Sequence, residues 1–190
     1  MDALLGIFSA FGLSASAGLN AYIPLLVVAL LARYTELIKL SSPWDALTSP
    51  WVIGLLSVLL LVEIFTDKVP AVNHVNDIIQ TFVRPVAGAV VFAASANIFS
   101  DIHPIMALAS GILVAGGVHA VKAAAVRPAV TVATGGAGNV PVSILEDFVS
   151  MMTSILAIVI PVLIAMIVIL VTSWAIWLIW RRSNKAQSTV

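Results

Sequence analysis

The feature that most constrains this chain is its long apolar runs. The first extends from Leu4 to Arg33. Others span Trp51 to Phe65, Val86 to Ser100, Ile105 to Val121 and Phe148 to Trp180. A helix needs about 20 apolar residues to cross a bilayer. These runs are too long and too continuous for the alternating strands of a membrane barrel. Hydrophobic residues make up 61% of the chain and charged residues 9%, with a mean hydropathy of +1.13. Soluble domains carry roughly a quarter charged residues, so this chain cannot cover a water-facing surface. The fold class expected is all-α, a polytopic helical membrane protein. It should have five transmembrane helices, or six if the N-terminal run contains a re-entrant segment. Residues 1–182 form a single helical membrane domain in this reading, and 183–190 a disordered cytoplasmic tail.

Formal net charge is zero, which gives no attraction to nucleic acid. The chain has no cysteine, so disulfides, thiolate catalysis and thiolate metal sites are excluded. The opening Met-Asp-Ala-Leu-Leu lacks the basic region of a cleavable signal, so the first apolar segment is expected to be retained.

Taken in order, the first run carries Ser14, Ser16, Gly18 and Asn20, then Pro24. Small residues let helices approach closely, and Asn20 reads either as an interhelical hydrogen bond or as a cavity-lining group at a broken helix. Ser42-Pro43-Trp44-Asp45 and Ser49-Pro50-Trp51 are helix starts with proline in the first turn. Trp44 and Trp51 suit an interfacial belt. Glu63 and Asp67 lie one turn apart at a helix C-terminus. There they repel each other and the helix dipole, so they require a cation; Lys68, Arg84, Lys122 and Arg127 are candidates.

Val69-Pro70 should end that helix and Asn73 should cap the next. His74, Asp77 and Thr81 fall on one stripe of a short polar helix, which Arg84-Pro85 should break. A fourth crossing, Ile105 to Val121, presents Gly111, Ala115, Gly116 and Gly117 for close packing, and His119 and Lys122 share a face. Arg127-Pro128 should end this segment, and Thr131 to Pro141 reads as a glycine-rich loop. Ser143-Ile-Leu-Glu146 is a capping box, which leaves Asp147 free to point elsewhere. Pro161 interrupts the last apolar run. Trp174, Trp177 and Trp180, followed by Arg181, Arg182 and Lys185, place the C-terminus in the cytoplasm by the positive-inside rule.

With five crossings, segments 67–85 and 122–147 share the opposite membrane face. The topology signal is weak, because Arg33, Lys39, Arg181, Arg182 and Lys185 on one side face Lys68, Arg84, Lys122 and Arg127 on the other. Ionisable groups at membrane depth are expensive and usually functional.

The segments DKVPAVNHVNDIIQTFVRPVAG, HAVKAAAVR and GNVPVSILED, together with GLNAYIPLL near the start, resemble the bacterial membrane family known as domain of unknown function 4126. The resemblance covers nearly the whole chain. Its pattern falls on Asp67, Lys68, Pro70, Asp77, Thr81, Arg84, Pro85, Gly88, His119, Lys122, Arg127, Asn139, Ser143, Glu146 and Asp147. It implies a multi-pass protein of the bacterial cytoplasmic membrane and brings no activity with it. Asn20 departs from the pattern, since relatives often carry a basic residue there.

Three functions are open. The first is transport of a small molecule or ion, or lipid handling, through a charged polar cluster. That cluster comprises Glu63, Asp67, Lys68, His74, Asp77, Thr81, Arg84, His119, Lys122, Arg127, Asn139, Glu146 and Asp147, with Asn20 lining a cavity. Its partners would be membrane lipids and an anionic ligand or head group at Arg84, Lys122 and Arg127. Gly18-Leu-Asn-Ala-Tyr22 and Gly117-Val-His-Ala-Val121 are faintly alike, a hint of an inverted repeat. The second is a structural clamp, in a homo-oligomer or as an accessory subunit of a membrane complex. The third is a metal-assisted enzyme using the carboxylates and histidines. No HExxH or P-loop is present, so no metal ligand, cofactor or catalytic residue is assigned.

Overall fold

A computed structural model describes residues 2–67, 70–99, 102–160, 166–167, 169–174, 176–177 and 180–181. The side chains at 2–4, 70–75, 77 and 97–99 fall outside that description. Among the described residues every regular element is helical, as the apolar runs require. The helices are α1 (Asp2–Leu19), α2 (Tyr22–Tyr34), α3 (Pro50–Thr66), α4 (Pro70–Phe99), α5 (Pro104–Val121), α6 (Arg127–Thr134) and α7 (Asn139–Val159). A short 3-10 turn, Trp44–Thr48, precedes α3. Three helical stretches are long and apolar enough to cross a membrane: Ile78–Ala96, Pro104–Thr134 and Asn139–Val159. Leu5–Leu19, Tyr22–Tyr34 and Pro50–Thr66 are shorter apolar helices.

The centre is α1. From Gly12 to Asn20 every residue except Leu19 is buried, packed among α4, α5 and α7. Small side chains permit this. A Cβ built on Gly18 would lie 2.6 Å from the Ala115 carbonyl oxygen, and one on Gly88 would lie 2.2 Å from the Ala115 Cβ. A Cβ on Gly111 would come within 2.4 Å of the Gly88 carbonyl oxygen. Three backbones therefore meet at distances that only glycine allows. Gly111 and Ala115 pack as the sequence suggests, whereas a Cβ on Gly117 would meet nothing within 4 Å.

Serines join α1 to its neighbours. Ser16 Oγ bonds the hydroxyls of Ser150 and Ser154 at 2.8 and 2.7 Å. Ser9 Oγ donates to the Ala157 carbonyl, and Ser14 Oγ to that of Gly111 at 2.9 Å. The large apolar side chains point outward instead: Trp51 is 88% exposed, Leu113 75% and Phe82 73%. A polar seam inside an apolar exterior is the distribution a lipid solvent favours.

The helix starts at Pro50 and Pro104 and the break before Pro70 fall where the sequence places them, whereas Pro85, Pro128 and the Ser143 capping box do not behave as expected. The run Leu4 to Arg33 is two helices, split at Asn20. α4 begins at Pro70, before Asn73, and continues through Pro85, so no separate short helix exists. In apolar surroundings a chain that left the helix would strand many backbone groups, while a proline forfeits one hydrogen bond. At Arg127-Pro128 the helix also continues, because Lys122–Val126 widens into a π turn. There the Arg127 N–H bonds the Lys122 carbonyl, and Pro128 sits in the first turn of α6. The glycine-rich loop shrinks to a turn at 135–138, with Gly135 and Gly136 at φ of 61° and 90°. α7 then starts at Asn139, so Ser143 and Glu146 lie inside the helix and form no capping box. α7 ends at Val159, just ahead of Pro161.

Candidate functional site

The split between α1 and α2 leaves backbone groups that the helices cannot satisfy themselves. Side chains from four other elements, with Asn20 itself, surround it. Asn20 Oδ1 accepts from the Tyr22 and Ile23 N–H groups, each at 3.1 Å, and so caps α2. Its Nδ2 donates to Asp147 Oδ1 on α7 at 2.9 Å. Asn20 thus serves both as an interhelical bond and as the marker of a broken helix. On the other side of the break, Lys122 Nζ donates to the Leu19 carbonyl at 3.0 Å. The Ala21 N–H points at Glu63 Oε1, 3.5 Å away.

From there the charges interlock. The Arg84 Nη2 donates to Glu63 Oε1 at 3.0 Å and lies 3.8 Å from Asp67 Oδ2. Arg127 Nη2 donates to Asp67 Oδ2 at 3.2 Å and to Glu146 Oε2 at 3.1 Å. Lys122 Nζ lies 2.9 Å from Glu146 Oε2 and 4.0 Å from Asp67 Oδ2. Glu63 and Asp67 therefore find their cations in Arg84, Lys122 and Arg127, as their spacing demands. Arg84 is 0% exposed and Glu63 1%. Helix register makes this possible: α3 delivers the two carboxylates from its last turn, α4 delivers Arg84, and the π turn brings Lys122 and Arg127 to one side. A π turn of this kind often marks a functional position.

His119 sits beside the pairs. Its Nδ1 lies 3.1 Å from Arg84 Nη1, and its Nε2 lies 3.2 Å from the Thr81 hydroxyl. A guanidinium can only donate, so Nδ1 accepts and the proton of the neutral ring is on Nε2, facing Thr81. Asn139 stands apart from the charges, exchanging hydrogen bonds with Thr131 Oγ1 to close the turn between α6 and α7. Lys68 and the side chains of His74 and Asp77 lie outside the described residues.

Three members carry no ionisation signal in the sequence. Asn76 Nδ2 donates to Asp67 Oδ1 at 2.7 Å, and Ser143 Oγ donates to Asp67 Oδ2 at 3.2 Å. Gln80 is buried, one turn before Arg84. Asn76, Gln80 and Arg84 follow each other at i, i+4 and i+8, a polar stripe beside the expected one of His74, Asp77 and Thr81. Ser143 stood in the family pattern; Asn76 and Gln80 did not.

Among the described residues no three His, Asp or Glu side chains converge to hold a metal ion. Among the described residues, buried polar atoms with no hydrogen-bond partner include Glu63 Oε2, Gln80 Oε1 and Arg84 Nε. A groove of about 420 Å³ between α2, the 3-10 turn and α4 is lined by apolar residues and Tyr22. No cluster member lines it.

An all-α chain with three helices fit to cross a membrane, and with ion pairs knotted at the junction of a broken helix and a π turn, is the class these features define. Its family follows from comparison. Residues 7–181 match the family described as domain of unknown function DUF4126, and the chain belongs to it. No curated protein and no solved structure matches the chain.

Proposed function

We propose that the protein is a multi-pass membrane protein that binds and moves a small charged solute, and that the cluster at the α1–α2 break is where the solute is held. The observation that carries this reading is the position of the charges. Discontinuous helices whose free ends meet charged side chains are a construction used for solute sites in transporters. Here Lys122 meets the carbonyl end of α1, and Glu63 meets the N–H end of α2. Ionisable groups at membrane depth carry a functional expectation as well. The membrane would be a cytoplasmic one, with the C-terminus on the cytoplasmic side beside Arg181, Arg182 and Lys185.

The test is uptake into proteoliposomes challenged with gradients of sodium, potassium, chloride, nitrate or acetate, read as ion accumulated inside. At least one ion should accumulate, and Arg84→Lys should abolish it. Folded protein that moves none of these ions overturns the reading.

A second reading, the structural clamp, is favoured by the pairing of the described buried charges: Glu63, Asp67 and Glu146 match Arg84, Lys122 and Arg127. Buried ion pairs can fix geometry without chemistry, and apolar replacements of similar volume often preserve stability. A Glu63→Leu/Arg84→Met double variant that keeps both fold and ion uptake would leave the clamp as the better account.

A further inference from the structure

The three buried carboxylates of the cluster, Glu63, Asp67 and Glu146, are not equivalent. Asp67 has Asn76, Ser143 and Arg127 within hydrogen-bond distance. Glu146 Oε2 holds two cations at once. Glu63 has one strong partner, Arg84 Nη2, and that on Oε1 alone; its Oε2 is buried with no partner. A proton can settle on Oε2 without breaking any bond that oxygen makes.

Protonation has a further consequence. Among the described buried members, two carboxylates would then face three cations, with the part-buried Asp147 on Asn20 at the edge. An uncompensated charge in a buried site is costly, so entry of a negative charge with the proton is favoured. The groups to receive it are in place. Arg84 Nε is fully buried and has no partner. Arg84 Nη2 would lose its carboxylate, and the Ala21 N–H beside it belongs to the entrance of α2, where anions are favoured. The unpartnered guanidinium nitrogen points to a ligand independently of the helix end.

We propose that Glu63, Arg84 and the N-terminus of α2 form a proton-linked anion site, which takes up one small monovalent anion together with one proton. The proton comes from solution and binds Glu63 Oε2. The anion replaces the Glu63 carboxylate as the partner of Arg84 Nη2 and adds Nε. Charge is conserved, since one proton and one anion enter together. Among the described residues, the groups facing Glu63 are Tyr22 on α2, Arg84 on α4, Lys122 in the π turn and Asp67 one turn on. Asp45, in the turn before α3, is exposed and lies at the far end of that helix.

The inference rests on the cluster being a ligand site, and it names the ligand class. Nitrate is the probe, because it brings no proton of its own. Protein in nanodiscs, lightly buffered near pH 6, is titrated with sodium nitrate while heat and pH are recorded. About one proton should be taken up per nitrate bound, with affinity falling about tenfold for each pH unit once Glu63 is ionised. Glu63→Gln, which is permanently neutral, should bind nitrate with no proton uptake and no pH dependence. Three results overturn the proposal: no nitrate binding by the wild type, binding without proton uptake, or wild-type pH dependence in Glu63→Gln. If that variant does not fold, the wild-type stoichiometry decides alone. Ion uptake without proton-linked nitrate binding would sink this inference and spare transport. Linked binding without uptake of any ion would do the reverse.

Discussion

Two polar regions hold this bundle together, and they use different means. Along α1 and α7 the seam is neutral: Ser16, Ser150 and Ser154 bond one another, and Ser9 bonds a backbone carbonyl. At the α1–α2 break the seam is ionic, with six buried charges sharing a few oxygens. A hydroxyl that loses its partner can turn back to a carbonyl on its own helix, as Ser154 already does to Ser150 at 2.8 Å. A guanidinium that loses its carboxylate has no such retreat. The neutral seam is therefore a fastening that tolerates damage, and the ionic one is an arrangement in which each member depends on the others. A fold that needed only fastening could have used serines throughout.

That contrast can be broken by substitution. Arg84→Ala should have the largest effect, because it strands Glu63 and removes the donor to His119. A loss of about 3–5 kcal/mol is expected, read as a lower unfolding temperature in detergent. A loss below that of a serine variant would abolish the distinction. Gly88→Ala should come next, at about 1–3 kcal/mol, since its Cβ would overlap Ala115. It damages packing that both regions share. Ser16→Ala should cost about 1 kcal/mol or less, the range measured for hydrogen bonds between membrane helices. Lys39→Ala should leave the unfolding temperature unchanged. Its 2.8 Å pair with Glu36 lies in water, where screening cancels most of the attraction. The pair still marks itself locally: the hydrogen bond to Lys39 holds the Glu36 carboxyl below its ordinary value.

Much of the site was legible because charge is rare in this chain. Glu63 and Asp67, one turn apart, demanded cations, and the candidates Arg84, Lys122 and Arg127 are the ones found. Helix type was legible from run length. The bounds of α3 and α5 were legible too, but not the course of the chain at Pro85 and Pro128, because the rule that proline breaks a helix is one that holds in water. Pro85 and Pro128 stay inside helices here, since a helix in apolar surroundings has nowhere better to put its backbone. Asn76 and Gln80 carry no charge, so their stripe with Arg84 lay hidden beside that of His74, Asp77 and Thr81, and a Ser143 taken for a cap hides its bond to Asp67. The split at Asn20 was stated only as one alternative. An asparagine side chain caps a helix or bridges two with equal ease, and here it does both.

The π turn at Lys122–Val126 turns the cluster into a measure of chain length. Each residue in a helix advances it by about 100°. Removing any one of Ala123, Ala124 or Ala125 would convert the wide turn into a regular helix, short only of the bond that Pro128 cannot donate. It would also swing Arg127 and all of α6 about 100° away from Asp67 and Glu146. The three alanines have little to say by their identity, and almost any small residue could stand in their places. What they specify is a number, so this stretch should accept changes of letter and refuse changes of count.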